Sequence, residues 1–179
     1  MKLFIASDIH GSAYYLEKML KAYEKENADS LVLLGDILYH GPRNDLPKDY
    51  NPKKVIEKLN QIKENILCVK GNCDTEVDQM VLEFPIMQET SLIFADGLKI
   101  YLNHGHERQT LEKSISNGSV LICGHTHVPL AKEENGHWYL NPGSVSIPKE
   151  NSEHSYLVYE NKTFTWKTLD GEEYNELKL

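Results

Sequence analysis

Side chains that bind divalent cations gather in five short strings of this chain: Asp8-Ile9-His10-Gly11, Gly35-Asp36, Gly71-Asn72-Cys73-Asp74, His104-Gly105-His106 and Gly124-His125-Thr126-His127. Each string follows an apolar, β-rich run: LFIAS, LVLL, ILCV, KIYL and VLIC. Asp, Asn and His placed at successive strand ends can converge on one edge of a sheet. Such a set suits two divalent cations and the hydrolytic chemistry they support. Glycine beside nearly every string fits a backbone that must turn sharply there. A lone D-x-H or H-x-H is a weak signal, and a satisfied buried histidine is the commoner explanation of any single His. Here six of the eight histidines lie in or beside the strings, and the order D-x-H, GD, GN, H, GHTH makes coincidence the poorer reading.

The elements that must position these strings follow from periodicity. Residues 2–7 read as a strand. Ser12 offers an N-cap to an amphipathic helix over 13–26, with Leu16, Met19, Leu20 and Tyr23 at helical spacing. SLVLLGD is a second strand, and the Pro-, Asn- and Asp-rich stretch HGPRNDLPKDYNP is an irregular loop. Asn51-Pro52 is a cap with proline at the first helical position, and Val55, Ile56, Leu59 and Ile62 form that helix's stripe. ENILCVKGN is a third strand. The β-α-β-α-β order predicts a parallel sheet with helices on its faces. The second half is different. A short helix is expected around Glu76 to Leu82, then a hairpin at Asp96-Gly97. Another short helix is marked by Leu111 and Ile115 and closed by Asn117-Gly118. VPLAKE, HWYLN, SYLVYEN and KTFTWKTL read as antiparallel strands with turns at 133–136 and 161–162. The expected fold class is α/β, with two packed mixed β-sheets flanked by helices and the candidate ligands along one common edge.

A chain of 179 residues suits one domain with one substantial core, here 1–179. No apolar run approaches the roughly 20 residues needed to span a bilayer. The apolar start is too short for a signal peptide, and cleavage there would remove Asp8 or His10. A cytoplasmic location is therefore expected. Cys68 and Cys123 read as small core residues, and a disulfide framework is not expected in a reducing compartment. The net charge of −8 argues against a general nucleic-acid-binding surface. It does not argue against a phosphate substrate, because two divalent cations would outweigh Asp8 and Asp36 locally.

With these strings, GDILYHGPRN and NPGSVSIP, the chain resembles the calcineurin-like metallophosphoesterases, in particular their small single-domain bacterial and archaeal phosphodiesterases. The resemblance covers roughly residues 1–160; the last twenty residues carry none of the motifs. It implies an α/β sandwich and a binuclear centre. It implies Asp8, His10, Asp36 and His127 on one metal and Asp36, Asn72, His104 and His125 on the other, with Asp36 bridging. Mixed oxygen and imidazole donors suit Mn²⁺, Fe or Zn²⁺, with Ni²⁺ also open, better than Ca²⁺. The resemblance favours Mn²⁺. It implies hydrolysis of a small phosphodiester by a metal-activated hydroxide attacking phosphorus in line.

Other residues are weighed against plainer readings. Asn72, Asp74 and His104 are the candidate catalytic residues, and Arg43, His40, Cys73 and His106 the candidate substrate contacts. Arg43 could fork onto a phosphate or simply pair with Asp45. His106 is a substrate or water contact, or a loop residue. Asp74 is expected to orient a neighbouring His or to cap the helix beginning at Thr75. Cys73 stands where many relatives carry a His that protonates the leaving group. That leaves the general acid unassigned and favours activated or aryl diesters over monoesters. His137 and His154 read as strand or surface residues, and Thr126 as structural. A phosphomonoesterase or protein phosphatase on the same fold is the second enzymatic reading. A protein-binding scaffold, as in the retromer coat, is the third, and completeness of the ligand set argues against it. The late strands could offer edges for a homo-oligomer.

Overall fold

Strand β1 (Lys2–Ala6) alternates between two apolar environments. Leu3 and Ile5 face one core while Phe4 and Ala6 face another, as the two-residue period of a strand requires. The computed structural model describes the backbone of residues 1–179 and all side chains but those of residues 109 and 110. Helix α1 (Ala13–Glu26) starts where Ser12 Oγ accepts from the Tyr15 amide, and ends at Asn27 in left-handed conformation. Strand β2 (Ser30–Leu33) follows. Helix α2 (Pro52–Asn60) is capped by Asn51 with proline in its first turn. Strand β3 (Ile66–Cys68) and helix α3 (Glu76–Gln79) complete the first half. The second half contains β4 (Thr90–Ala95), β5 (Leu98–Asn103), α4 (Arg108–Glu112), β6 (Val120–Ile122), β7 (Leu130–Glu134), β8 (His137–Asn141), β9 (Ser155–Glu160), β10 (Thr163–Thr168) and β11 (Glu173–Lys178).

Two mixed sheets result, ordered β11-β10-β9-β1-β2-β3 and β4-β5-β6-β8-β7. They pack face to face over a core that includes Ile5, Val32, Ile100, Ile122, Leu140 and Trp166. The outer face of the first sheet is covered by α1 and α2, through Leu16, Met19, Val55 and Leu59. Leu111 and Ile115 cover Leu121, Cys123 and Tyr139 on the second sheet. The expected architecture of two packed mixed sheets flanked by helices is the one observed. β1, β2 and β3 run parallel to one another, as do β5, β6 and β8. The loops leaving β1, β2, β3, β5 and β6 carry the five ligand-rich strings, and they meet at one edge of the sandwich.

Three local expectations need correction. The helix expected to reach Leu82 stops after Gln79, where Gln79 folds back to hold the Leu82 and Phe84 carbonyls and the Ile86 amide. The helix marked by Leu111 begins at Arg108 and ends before Ile115. Strand β11 was not foreseen. It pairs antiparallel with β10 but is almost wholly exposed, so EYNELK carries no apolar alternation to announce it.

Candidate metal centre

Five of the seven candidate ligands sit in left-handed backbone: Asp8 (φ 60°), His10 (49°), Asp36 (55°), His125 (67°) and His127 (62°). Non-glycine residues rarely adopt this region, and clusters of them mark functional sites. Asp, Asn and His tolerate it best, so the residue types that bind cations are also the ones that fit these turns. Two glycines let the turns approach one another. A Cβ on Gly71 would overlap the Asp36 carboxylate, and one on Gly124 would overlap Ser7.

The donor atoms converge. His127 Nε2 lies 3.2 Å and His10 Nε2 3.6 Å from Asp8 Oδ1, and the two imidazole nitrogens are 3.3 Å apart. Asp36 Oδ2 stands between two imidazoles, 3.7 Å from His10 Nε2 and 3.4 Å from His104 Nε2. His104 Nε2 is also 3.0 Å from Asn72 Oδ1. His125 lines the same cavity, with its ring 5.1 Å from that of His104. Its nitrogens stay outside the three groups of donor atoms that lie within 4.8 Å of one another, which are Asp8-His10-His127, Asp8-Asp36-His104 and His10-Asp36-Cys73. The third group brings in the Cys73 thiol, which sequence reasoning had kept out of the ligand set.

This arrangement fits a cation. Three histidines give their Nδ1 to backbone carbonyls: His10 to Tyr39 at 2.7 Å, His104 to Leu34 at 2.6 Å and His127 to Ile147 at 2.6 Å. Each Nε2 is thereby turned toward the carboxylates, the tautomer a metal ligand needs. Asp8 Oδ1 is buried, and no N–H points at it in hydrogen-bonding geometry. A buried carboxylate oxygen left in that state is costly unless a positive charge meets it.

The charge pattern agrees. Burial pushes Asp8 upward, but the neighbouring imidazoles of His10, His127 and His104 outweigh it and hold the acid well below its usual range. Burial likewise raises Asp36, and His104 more than offsets this. Burial alone would lower His104, yet Asp36 and Asp8 raise it to about 9. Burial, with the Asp36 carboxylate beside it, drives the Cys73 thiol up to about 12.

Asp74 neither orients a histidine nor caps α3. Its carboxylate is buried and accepts the amides of Gly71 (2.7 Å), Asp36 (2.9 Å) and Ile37 (2.9 Å). It ties the Asp36 turn to the Asn72 turn from behind, too deep to touch a substrate. The cap is Thr75, in a reciprocal box with Asp78. Segment 141–149 acts similarly on the other side. Ser144 and Ser146 both donate to the Asp8 carbonyl at 3.0 Å, and Asn141 holds the Gly124 carbonyl and Thr126 Oγ1. The polar residues in NPGSVSIP were the signal, and their partners lie too far away in sequence to read.

Above the donors opens a cavity of about 400 Å³ lined by His10, Asp36, Asn72, Cys73, His125 and His127, with Arg43 and Lys149 also on its wall. Arg43 is exposed and forms no ion pair with Asp45 among the described residues. Lys149 was missed by sequence reasoning because nothing in PKE marks it. His40 does not line this cavity. Its ring packs edge-on against Tyr39 and Tyr50 at 4.8 and 5.3 Å, so it is not placed to meet a substrate there. His106 is exposed beside the cluster, 5.6 Å from the His104 ring. His137 is buried in β8, and His154 stacks on Tyr15 at 3.9 Å.

A family model described as the calcineurin-like phosphoesterase superfamily domain matches residues 1–163. The chain belongs to that superfamily. Phosphodiesterase YfcE of Escherichia coli strain K12 is 44% identical over 174 residues, which cover 96% of this chain and 94% of that protein. The solved structure of Yfce, a phosphoesterase from E. coli, matches with a TM-score of 0.92 at 40% identity, covering 99% of this chain and 98% of that one. Phosphodiesterase MJ0936 of Methanocaldococcus jannaschii is 27% identical over 151 residues, covering 80% of this chain and 83% of that protein. In this calcineurin-like phosphoesterase, the residues that supply the donor cluster all fall inside the matched span.

Proposed function

We propose that this protein is a metal-dependent phosphodiesterase working through two divalent cations, with Mn²⁺ the favoured metal. The observation that carries the reading is Asp36 Oδ2 between His10 and His104, with the orphaned Asp8 Oδ1 alongside. Asp8, His10 and His127 would hold one ion and Asn72, His104 and His125 the other, with Asp36 shared. Bound there, the ions would polarise a phosphoryl oxygen and lower the pKa of a water. The protein's own residues supply position and charge. Arg43 and Lys149 stand on the cavity wall, where an anionic diester would meet them first. Asp74, Ser144 and Ser146 fix the turns that aim the ligands.

A diester is favoured over a monoester by Cys73. Its thiol lines the cavity where the family pattern often has an imidazole, so the site offers a leaving group little protonation. The relatives named phosphodiesterase point the same way. Three free cysteines suit a reducing compartment, in keeping with a cytoplasmic location, and among the described residues no helix is long and apolar enough to cross a membrane.

The deciding experiment compares kcat/KM for bis(4-nitrophenyl) phosphate and 4-nitrophenyl phosphate on the Mn²⁺-loaded protein. A ratio strongly favouring the diester supports the reading. A ratio favouring the monoester overturns it in favour of a phosphatase. No turnover of either, with metals bound, overturns it in favour of a scaffold.

A further inference from the structure

A second cavity of about 400 Å³ lies beside the polar one, and it is apolar. Tyr39, Tyr50, Ile56, Val77 and Val81 are among its walls, and Cys73 lines both cavities. The two thus share a lining residue. The residues that join them are also those whose backbones hold the candidate ligands. The Tyr39 carbonyl accepts from His10 at 2.7 Å while its side chain faces the apolar cavity. The Cys73 amide donates to Asp36 Oδ1 at 2.8 Å, and the same residue lines both cavities. The apolar cavity is therefore built partly on residues that hold the candidate ligands.

The rim leaves apolar surface in water. Tyr39 is 42% exposed, Val77 68% and Val81 42%, and Met80 beside them is 82% exposed. Val77 is held out by α3, a single capped turn, so its exposure is fixed by the backbone. Covering such a rim with an apolar group is favourable in proportion to the area removed from water. Pockets that recognise small molecules commonly combine apolar walls with a few polar groups at one end, and here those polar groups are the metal-ligand candidates.

We propose that this cavity is the subsite for one ester substituent of the diester, and that it selects an aromatic or similarly bulky apolar group. The inference rests on the phosphodiesterase reading and adds the substrate class. The phosphoryl group sits over the donor cluster, the apolar arm passes Cys73, and the ring lies among Tyr39, Tyr50 and Val81. No Lys, Arg or His is among the described residues of this wall, and its one charged residue, Asp78, is an acid that accepts from the Thr75 amide and hydroxyl. A highly charged arm such as a polyphosphate is therefore disfavoured on this side.

The test is calorimetric binding of phenylphosphonate and methylphosphonate to the Mn²⁺-loaded protein, in wild type, Val77→Asp and Val81→Asp. Both positions are well exposed, so folding is expected to persist, and unchanged melting temperature checks it. Expected are a preference of about tenfold or more for the phenyl compound in wild type, its loss in both variants, and unchanged methylphosphonate affinity. Equal affinities for the two ligands in wild type would overturn the subsite, as would an equal weakening of both in the variants. If instead wild type is oligomeric by sedimentation, the variants are monomeric and the phenyl preference is unaltered, the rim is an interface between copies and the proposal is wrong. Binding is read without turnover, so absence of hydrolysis would refute the phosphodiesterase reading alone.

Discussion

Two clusters of charge lie at opposite ends of β1, and they are built differently. At the Lys2 end, Glu26 is met by Lys2 at 2.8 Å, Lys167 at 2.9 Å and the Tyr156 hydroxyl at 3.0 Å. The chain supplies every partner. At the Asp8 end, two carboxylates face three imidazoles, with no Lys or Arg paired to them among the described residues. One buried carboxylate oxygen, Asp8 Oδ1, has no hydrogen bond, and five of the candidate ligands hold left-handed backbone. Elsewhere, residues such as Asn27, Asp96 and Asn161 adopt that conformation in turns between elements. A cluster completed by the protein stabilises the fold. A cluster left incomplete on strained turns is arranged for a charge that comes from outside.

The contrast breaks most visibly at Asp36. Asp36→Asn keeps an acceptor oxygen for the Cys73 amide but removes the carboxylate charge that the proposal shares between the two cations. Diester turnover should fall on the order of 10³-fold, since metal activation is worth several kcal/mol, while the melting temperature of the metal-free protein stays close to wild type. Unchanged turnover would show that Asp36 is not shared between cations.

Next in size is the pH dependence of metal binding. In the metal-free protein His104 is raised to about 9, so below that pH an incoming cation must displace a proton. Apparent affinity for Mn²⁺ should therefore rise about tenfold per pH unit and per proton displaced, and level off above about pH 9. Calorimetric titrations at several pH values measure the slope, and a flat profile would contradict the assigned ligands.

At the other cluster the expected effect is smaller and of another kind. Glu26→Gln should cost on the order of 1 kcal/mol of stability, because solvent reaches the edge of the network, and it should leave metal binding alone. Burial raises Glu26, but the hydrogen bonds from Lys2 and Lys167 prevail and lower it. Its contribution is thus present above the unfolded pKa near 4.5 and is lost as pH falls through the depressed folded value. Chemical denaturation of both proteins across that window should show the wild type losing its advantage on acidification. The smallest effect is expected for Cys73→Ala. Loss of a positioned acid costs about 10²–10⁴-fold, whereas this change should stay within about threefold. A large loss with metals still bound would give the thiol a catalytic part.

Much of this was legible in the sequence for a physical reason. Strand alternation, the Ser12 and Asn51 caps and the Asp96-Gly97 turn are local signals, and each element they mark was observed. The string-forming ligands were legible because each follows its strand directly. What could not be read depends on distant partners. Asp74 looked like a cap or a histidine's partner, yet it holds three amides from two separate turns. Lys149 and Ser146 reach the site only because β8 lies beside β6. His40 follows a ligand string, but its ring turns toward Tyr50. β11 gave no signal because an exposed edge strand needs no apolar alternation.

The central claim is that the Asp8 end of the molecule is completed by two divalent cations. The direct measurement is the stoichiometry of Mn²⁺ bound per chain, by calorimetric titration of chelator-stripped protein checked by elemental analysis. Two ions per chain in wild type and in Glu26→Gln, with fewer in Asp36→Asn, is the expected result. One ion or none in wild type, or two in Asp36→Asn at unchanged affinity, would contradict the account.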